Sequence, residues 1–148
     1  MKKKWKQTRK SLLLGLSLLF LTACSALKLE PSPYKKTELD QNSAIHFETA
    51  EKRFSVSPET IDVKVTNQTA EEIAYGIDFI LEKKEKEEWK KVRPKEEMAF
   101  IAIAKILEPG EMATDTISLE FYSKLPAGEY RVVRPIGGDV CTAPFTID

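Results

Sequence analysis

Along most of the chain after residue 60, apolar and polar residues alternate with a period of two. Residues 61–66 read Ile-Asp-Val-Lys-Val-Thr, and residues 73–81 carry apolar side chains at every second position. This spacing puts the apolar side chains on one face of an extended chain, which predicts two half-buried β-strands. Residues 67–72, between them, have the composition of a turn.

Further short apolar segments, separated by turns that contain Gly or Pro, predict the other strands. They cover residues 89–92, 113–122, 130–133 and 145–147. About seven strands at spacings near 8–12 residues are typical of an antiparallel β-sandwich. The predicted fold class is therefore all-β.

Residues 98–107 are ambiguous. Their apolar side chains could fill a helix that begins after Pro94, or one or two buried strands. The isoleucine content and the short length favour strands, because β-branched residues pack well in sheets and helices are usually longer.

The N-terminus has the layout of an export signal. Residues 1–10 are basic, and residues 11–21 form an apolar run of eleven residues that is followed by small side chains. A membrane-spanning helix needs roughly 20 apolar residues, so this run is too short for a comfortable permanent span. We therefore predict that residues 1–23 are a secretory signal peptide.

The end of this segment, Leu21-Thr22-Ala23-Cys24, resembles the lipobox of bacterial lipoproteins. The resemblance implies cleavage between Ala23 and Cys24, a diacylglyceryl group on the Cys24 thiol and an N-acyl chain on its amino group. Two acyl chains anchor a protein stably in a bilayer, whereas one gives marginal binding. The expected location is the extracytoplasmic side of the cell membrane, with the lipid bilayer as one partner. An uncleaved anchor helix with Cys24 buried in it is the alternative.

Residues 24–44, the lipidated cysteine and the segment after it, are predicted to form a flexible tether. Pro31 and Pro33 favour an extended chain without internal hydrogen bonds, charged residues are frequent, and apolar residues are few. Such an arm would hold the domain of residues 45–148 away from the bilayer. The alternative is an irregular strand packed on the edge of that domain.

The zero net charge of the whole chain hides two unlike parts. Residues 1–23 carry six basic side chains and no acidic one, whereas residues 24–148 carry 17 basic and 23 acidic side chains. Proteins that bind duplex nucleic acid neutralise phosphates with Lys and Arg, so an acidic body argues against nucleic acid as a partner.

Residues 125–132 read Leu-Pro-Ala-Gly-Glu-Tyr-Arg-Val, which resembles the Leu-x-x-Gly-x-Tyr-Arg-hydrophobic run near the end of bacterial immunoglobulin-like domains. The strands predicted at 61–66 and 73–81 precede this run in the order that the family has, so the resemblance covers residues 45–148. It implies an immunoglobulin-like sandwich of about 100 residues. It also implies a structural role for Tyr130, whose hydroxyl would bond the backbone a few residues upstream in a tyrosine corner.

His46 is the only histidine, which limits the chemistry that the chain can carry. A catalytic triad would need His46 as its base, and no nucleophile-elbow motif accompanies it. Structural zinc needs four Cys or His ligands, and only His46 and Cys141 would remain once Cys24 is lipidated. We predict no catalytic site, no metal site and no cofactor beyond the lipid on Cys24. Cys141 is expected to be a small buried side chain, with an intermolecular disulfide or a reactive thiol as the alternative.

Trp89, Arg93 and Arg134 are the candidate contact residues. Trp89 follows a charged connection and would lie either in the core or at a binding tip. The tripeptide Val-Arg-Pro occurs at two predicted strand ends, with Arg93 and Arg134 at its centre. If those ends are adjacent, both arginines would join Lys90 and Lys91 in a basic patch for anionic wall polymer or lipid headgroups.

These observations predict a membrane-anchored, non-catalytic binding domain at the cell envelope, with an envelope protein or a wall polymer as its partner. Loops or an unpaired strand edge would supply the contact surface. The alternatives are a carrier of a small ligand or metal, a small envelope hydrolase that would require His46, and a purely structural spacer.

Overall fold

Residues 26–148 are the part of the chain that the computed structural model describes, and they form eleven β-strands and one 3₁₀ turn, Lys36–Glu38. In chain order the strands are β1 (Leu29–Pro31), β2 (Ile45–Thr49), β3 (Arg53–Phe54), β4 (Thr60–Asn67), β5 (Ile73–Tyr75), β6 (Ile80–Glu85), β7 (Glu88–Val92), β8 (Lys105–Leu107), β9 (Met112–Ser118), β10 (Gly128–Ile136) and β11 (Asp139–Ile147). No α-helix occurs in these residues, so the predicted all-β class is confirmed.

The strands form two sheets. Sheet A contains eight strands in the order β1-β7-β6-β10-β11-β3, with β5 joined to β10 and β8 joined to β5. Sheet B contains three strands in the order β2-β4-β9. Within residues 26–148, every strand pairing is antiparallel except that of β3 with β11. The predicted antiparallel sandwich is confirmed. It contains more strands than the sequence pattern suggests, and several of them are only two or three residues long.

The core lies between the two sheets and follows the period-two pattern of the sequence. Ile61, Val63 and Val65 of β4 are at most 1% exposed, and they share one apolar cluster with Tyr130 and Val132 of β10. The intervening side chains of β4 face outwards, because successive side chains of a strand point to opposite faces. Burying a side chain of this size contributes about 1.5–3 kcal/mol, so the alternation itself favours packing of sheet B on sheet A.

A two-residue turn joins β10 to β11. Gly137 and Gly138 have φ angles of +59° and +84°, the left-handed values that a type I′ hairpin turn requires. A β-carbon on Gly137 would also lie 3.0 Å from Ile45 Cδ1 and 3.1 Å from Ile73 Cβ. Residues 137 and 138 therefore form one of the glycine-containing turns that the sequence predicts between strands, and position 137 needs glycine for both conformation and space.

The single strand predicted over residues 73–81 is divided into β5 and β6. Between the pairs Tyr75–Ile136 and Ile80–Val133, this part of the chain advances five residues while β10 advances three. The two extra residues form a bulge, which bends the chain and interrupts the ladder. β5, on the N-terminal side of the bulge, pairs with β8 as well as with β10.

The strand prediction for residues 98–107 is wrong for most of the segment. Only Lys105–Leu107 is a strand, and residues 93–104 form a connection without helix or strand. The composition is that of a buried strand, but strand formation also needs a neighbouring backbone with which to pair.

The connection passes β9 without joining its ladder. Lys95 N donates to Phe121 O at 2.7 Å, which fixes the start of the connection near the end of β9. Beyond that point, Phe100, Ile101 and Ile103 are exposed instead of buried. These apolar side chains do not pack into the core. The sequence pattern therefore wrongly predicts a buried strand here.

The flexible tether predicted for residues 24–44 is wrong for most of its length, because this segment packs on the domain. β1 adds to the edge of sheet A by pairing with β7, and the buried Leu39 forms a parallel bridge with Val140 of β11. Since β6 and β10 lie between β7 and β11, residues 32–38 cross the outer face of sheet A. We call residues 32–38 the strap.

The strap is held at its far end and covers an ion pair. The Asp40 carboxylate accepts hydrogen bonds from Thr142 N at 2.7 Å and from Thr142 Oγ1 at 2.6 Å. Beneath the strap, Glu82 is 0% exposed and accepts a hydrogen bond from Arg131 Nε at 2.7 Å. Pro31, which suggests a tether, is compatible with β1 because an edge strand tolerates a missing N–H.

Candidate functional site

A charged pair is buried between the two sheets. Arg134 of β10 is 2% exposed, Asp115 of β9 is 8% exposed, and Arg134 Nη1 donates to Asp115 Oδ2 at 2.8 Å. Arg134 Nη2 reaches Ile77 O at 3.4 Å, while Nε has no hydrogen-bond partner among the described residues. Because both side chains point into the core, the pair links sheet A to sheet B.

Lys105 and Tyr75 extend this arrangement. Lys105 Nζ forms an ion pair with the second Asp115 oxygen, Oδ1, and its side chain is 40% exposed. Tyr75 is buried beside the pair, and burial together with the charge of Asp115 raises the pKa of Tyr75 to about 12. We call Arg134, Asp115 and Lys105 the charged cluster. It contains two cations and one carboxylate, so an anionic group on a ligand would complement it.

One edge of sheet B, formed by β9, has no strand partner within residues 26–148. Asn67 N donates to Glu111 O, and Leu119 N donates to Glu59 O, both at 2.9 Å. Hydrogen-bonded and non-hydrogen-bonded pairs alternate in an antiparallel ladder, so these two bonds fix the phase of the β4–β9 pairing. The backbone groups of the even-numbered residues of β9 therefore point away from β4.

We call these outward backbone groups the β9 edge. They belong to Met112, Thr114, Thr116 and Ser118, whose side chains are exposed. The β9 edge thus offers N–H donors and C=O acceptors at the spacing of a β-ladder, and such groups are ready to pair with another strand.

A groove of about 370 Å³ runs along the β9 edge. Residues 114–118 of β9 form one wall, and residues 98–100 of the connection form the other. The groove is also lined by Phe79, Phe121 and the charged cluster. It therefore combines aromatic surface with an excess of positive charge.

Exposed apolar side chains occur on the segments that line this groove. Phe100 and Phe121 line it, and Ile101 and Ile103 follow Phe100 along the connection. Ile101 is 70% exposed, whereas Phe100 is held in place by an edge-on contact with the Phe79 ring, whose centroid lies 5.5 Å away. Exposed apolar surface beside an open strand edge is a feature of sites where another chain docks.

Trp89 lies on the outer face of sheet A, outside the apolar core. Its ring is half-buried, and Arg131 Cζ lies 4.3 Å from the ring centroid in a cation–π contact. Trp89 and Arg131 line a cavity together with Ser32 and Tyr34 of the strap. Trp89 is thus neither a core residue nor part of the groove, and its role as a partner contact stays a prediction.

The basic patch predicted from Arg93 and Arg134 is wrong. Arg134 is buried and paired with Asp115, so it cannot meet a polymer at the surface. Arg93 is exposed, and its Nη1 lies 3.5 Å from Glu30 Oε1. The two Val-Arg-Pro tripeptides therefore place their arginines in different environments, one inside the sandwich and one in solvent.

Tyr130 has the geometry of a tyrosine corner. Its hydroxyl donates to Pro126 O at 2.6 Å, and its buried ring stacks on Phe145 with the centroids 5.5 Å apart. Burial raises the pKa of Tyr130 above its ordinary value. These contacts are internal to the domain, as a structural role requires.

His46 and Cys141 are the side chains outside the charged cluster that could act as a general base or as a nucleophile. His46 is exposed on β2, with Nε2 2.8 Å from Gln68 Oε1. Cys141 is buried in β11, and burial together with the charges of Asp139 and Asp40 raises its pKa to about 12. The Cys141 thiol is consequently protonated, which suits a small buried side chain better than a nucleophile.

Two further findings concern metals and the membrane. Among residues 26–148, no group of three or more His, Cys, Asp or Glu side chains could hold a metal ion. No helix in the same part of the chain has the length and apolar character needed to cross a bilayer. Ala23 and Cys24, the predicted cleavage and lipidation residues, lie outside the described residues.

Asp115 and Lys105 are absent from the site residues predicted from the sequence, although a signal for Asp115 exists. Asp115 and Ile117 occupy the same face of β9, and Arg134 continues the inward series of β10. A charged residue at an inward position on each of two strands indicates a buried ion pair, because an unpaired buried charge is very unfavourable. The β9 edge has no such signal, since it depends on how residues 93–104 run in three dimensions.

Comparison with known proteins gives one family. The sequence model of a family described as bacterial Ig-like domain matches residues 41–146, which include every strand from β2 to β10 and most of β11. The comparison with curated proteins gave no match.

The solved structures give only a distant likeness. A β-glucosidase from Listeria innocua in complex with gluconolactone aligns at 19% identity with a TM-score of 0.36, over 70% of this chain and 16% of that chain. The same enzyme in complex with glucose aligns at 20% identity with a TM-score of 0.36, over the same shares of 70% and 16%. This chain spans a small part of those chains, and a likeness of this size supports no conclusion about its activity.

Proposed function

This chain belongs to the bacterial Ig-like domain family, and from that premise we propose that it is a non-catalytic binding domain, lipid-anchored on the extracytoplasmic face of the cell membrane. The anchor is the diacylglyceryl and N-acyl lipid expected on Cys24. The partner is a protein of the cell envelope, and the β9 edge is the surface that we assign to it.

The open β9 edge is the observation that carries the binding function. Proteins usually protect a strand edge with a charged side chain, a proline, a bulge or a covering segment. The outward residues Met112, Thr114, Thr116 and Ser118 carry no charge and include no proline, and β9 pairs with β4 without interruption. An unprotected edge beside apolar side chains risks aggregation, so its presence supports a use in binding.

The lipid anchor explains how such an edge would meet its partner. Cys24 is separated from β1 by residues 25–28 alone, which can span no more than about 18 Å when fully extended. The domain would therefore stay close to the bilayer instead of being held away on a long arm. Confinement of this kind raises the effective concentration of the domain towards partners at the same membrane.

Metabolic labelling tests the anchor. The full chain, expressed with a C-terminal tag in a bacterium that processes lipoproteins, should incorporate an alkyne-modified fatty acid and sediment with the membranes. The variant Cys24→Ala should lose both the label and the membrane association. Equal labelling of the two proteins, or no labelling of either, would contradict the proposed anchor.

Capture from detergent-solubilised envelopes tests the binding. The tagged full chain should retain an envelope protein, and the variant with Ile101→Ser and Ile103→Ser should retain less of it. Val56→Ser is the matched control, because Val56 is also exposed and apolar but lies between β3 and β4, outside the connection that forms the far wall of the groove. The binding function is wrong if the full chain enriches no protein relative to the double variant.

A further inference from the structure

We propose that the β9 edge binds an extended peptide segment as an added β-strand, and that this segment carries an acidic side chain facing the charged cluster. The inference rests on the proposed function, because it specifies the chemistry of the partner at the same site. It assigns affinity to backbone pairing and specificity to one ionic contact.

The groove has the position that an added strand needs. A strand paired with β9 would lie about 4.8 Å from it, in the space between residues 114–118 and residues 98–100. There it could exchange hydrogen bonds with the outward backbone groups of Thr114 and Thr116. Strand addition of this kind uses main-chain bonds for affinity, and a polysaccharide lacks the regularly spaced N–H and C=O groups to form them.

The far wall of the groove favours a single segment over a second copy of the domain. Residues 98–100 stand opposite β9, and the Phe100 ring is fixed against Phe79. If two folded copies paired their β9 edges, the connection of each copy would stand in the path of the other. A lone extended segment needs less width than a second folded copy, so part of it could lie between the walls.

The charged cluster indicates which side chain the segment presents. Alternate side chains of an added strand would point into the groove. They would meet the aromatic surface of Phe79 and, next to it, a cluster in which Arg134 and Lys105 outnumber Asp115. Lys105 is the accessible cation of the cluster, since Arg134 is buried. An aspartate or glutamate between apolar residues is complementary to this surface, whereas a lysine would meet like charge.

Binding of defined peptides to the full chain in detergent micelles tests the inference. The probes are fluorescein-labelled heptapeptides of alternating threonine and valine, with aspartate, asparagine or lysine at the central inward position. Fluorescence anisotropy reports their affinity. The aspartate peptide should bind about two- to fivefold more tightly than the asparagine peptide, and the lysine peptide should bind least.

Two variants separate the backbone contribution from the ionic one. Thr114→Pro removes an outward N–H without removing a bond to β4, and it should weaken binding by about tenfold or more. Thr114→Ala keeps that N–H and is the matched control, so it should weaken binding much less than Thr114→Pro does. Lys105→Gln should abolish the preference for aspartate over asparagine. Circular dichroism checks the fold of each variant, and Thr116→Pro replaces Thr114→Pro if the latter does not fold.

Several results would overturn the inference. They are the absence of saturable binding, equal affinity of Thr114→Pro and Thr114→Ala, preference for the lysine peptide, and self-association of the full chain that Thr114→Pro abolishes. A captured envelope protein whose recovery is unchanged by Thr114→Pro would also overturn it, but would leave the proposed binding function standing. The two proposals can therefore fail separately.

Discussion

Replacing Asp115 by asparagine tests the physical basis of the charged cluster. Asp115 Oδ2 accepts from Arg134 Nη1 at 2.8 Å, and it is the one carboxylate that contacts this guanidinium within the described part of the chain. In Asp115→Asn, the Arg134 side chain keeps the 3.4 Å contact with Ile77 O, and positions 5.6 Å and 6.0 Å from the centroids of the Phe47 and Tyr75 rings. A nearly buried cation would then lack a counter-charge.

The expected loss is large compared with the stability of a domain of this size. Removing one partner of a buried ion pair typically lowers the free energy of unfolding by about 3–5 kcal/mol, and the total is typically about 5–15 kcal/mol. Asparagine retains one hydrogen-bond acceptor and the Phe47 ring offers a weak cation–π contact, so we expect the lower end, about 3 kcal/mol. With a urea m-value of about 1–3 kcal/mol/M, the unfolding midpoint should fall by about 1–3 M.

Equilibrium urea unfolding of the tagged chain, followed by circular dichroism, measures this change. The double variant Asp115→Asn with Arg134→Met should recover part of the loss, because it removes the unpaired charge along with its partner. The matched control is Asp148→Asn, which breaks an Arg–Asp pair with the same chemistry at 2.6 Å but with side chains that are 70% and 49% exposed. That change should alter the free energy of unfolding by less than about 1 kcal/mol.

The reasoning would be refuted by either of two results. If Asp115→Asn and Asp148→Asn have the same small effect, the charged cluster is not buried in the way that the structure indicates. The single variant Arg134→Met completes the comparison. If the double variant loses as much unfolding free energy as Asp115→Asn and Arg134→Met lose together, the two residues are not energetically coupled.

Three further predictions concern the core, the tyrosines and the strap. Tyr130→Phe removes the bond to Pro126 O and should lower the free energy of unfolding by about 1 kcal/mol in urea titrations; unchanged stability would contradict the structural role of Tyr130. Burial raises the pKa values of Tyr75 and Tyr122 from 10.0 to about 12, so their contribution to stability is fully present below pH 10 and is lost as the pH rises towards 12. Ultraviolet titration of the Tyr34→Phe variant, which leaves the buried Tyr75, Tyr122 and Tyr130, should show that these tyrosines ionise only as the domain unfolds, and ionisation of its folded domain near pH 10 would contradict their burial. Asp40→Ala removes both bonds to Thr142 and should increase tryptic cleavage in the strap more than Asp40→Asn does, because asparagine keeps an acceptor and tolerates the φ of +51° at this position; equal cleavage would contradict the role of Asp40.

The regular part of the fold could be predicted because its side chains follow one period. In β4, each apolar residue is buried and its polar neighbours face outwards, so local sequence and tertiary packing agree. The same is true of the hairpin between β10 and β11, where two glycines permit the turn that the strands require. In such segments a local pattern contains nearly all the information that the fold needs.

Predictions failed where the outcome depends on a distant partner. The alternation of residues 73–81 continues through a bulge, because Phe79 and Leu81 remain buried although the ladder shifts. Residues 98–104 have the composition of a strand but join no β-ladder. The opposite happens in the strap, whose proline and charged residues suggest a free arm, although the adjoining Leu39 and Asp40 hold it on sheet A.

The candidate site was only partly predictable for the same reason. An unpaired strand edge could be named as a general means of binding, but nothing local to residues 112–118 shows which neighbour they lack. Arg134 stands out in the sequence because of its tripeptide, and its burial reverses the role expected of it. The charged cluster joins residues from β8, β9 and β10, so it exists only once both sheets have formed.

Site-specific photocrosslinking in living cells tests the β9 edge as the binding surface most directly. A photoreactive amino acid replaces Thr116 of β9 in the full chain, and in the control it replaces Glu48 of β2, which is exposed at the opposite edge of sheet B. We expect adducts from position 116 that mass spectrometry maps to an extended, acidic segment of an envelope protein, and none of these from position 48. The absence of adducts at position 116, or the same adducts from both positions, would contradict a binding role for this edge.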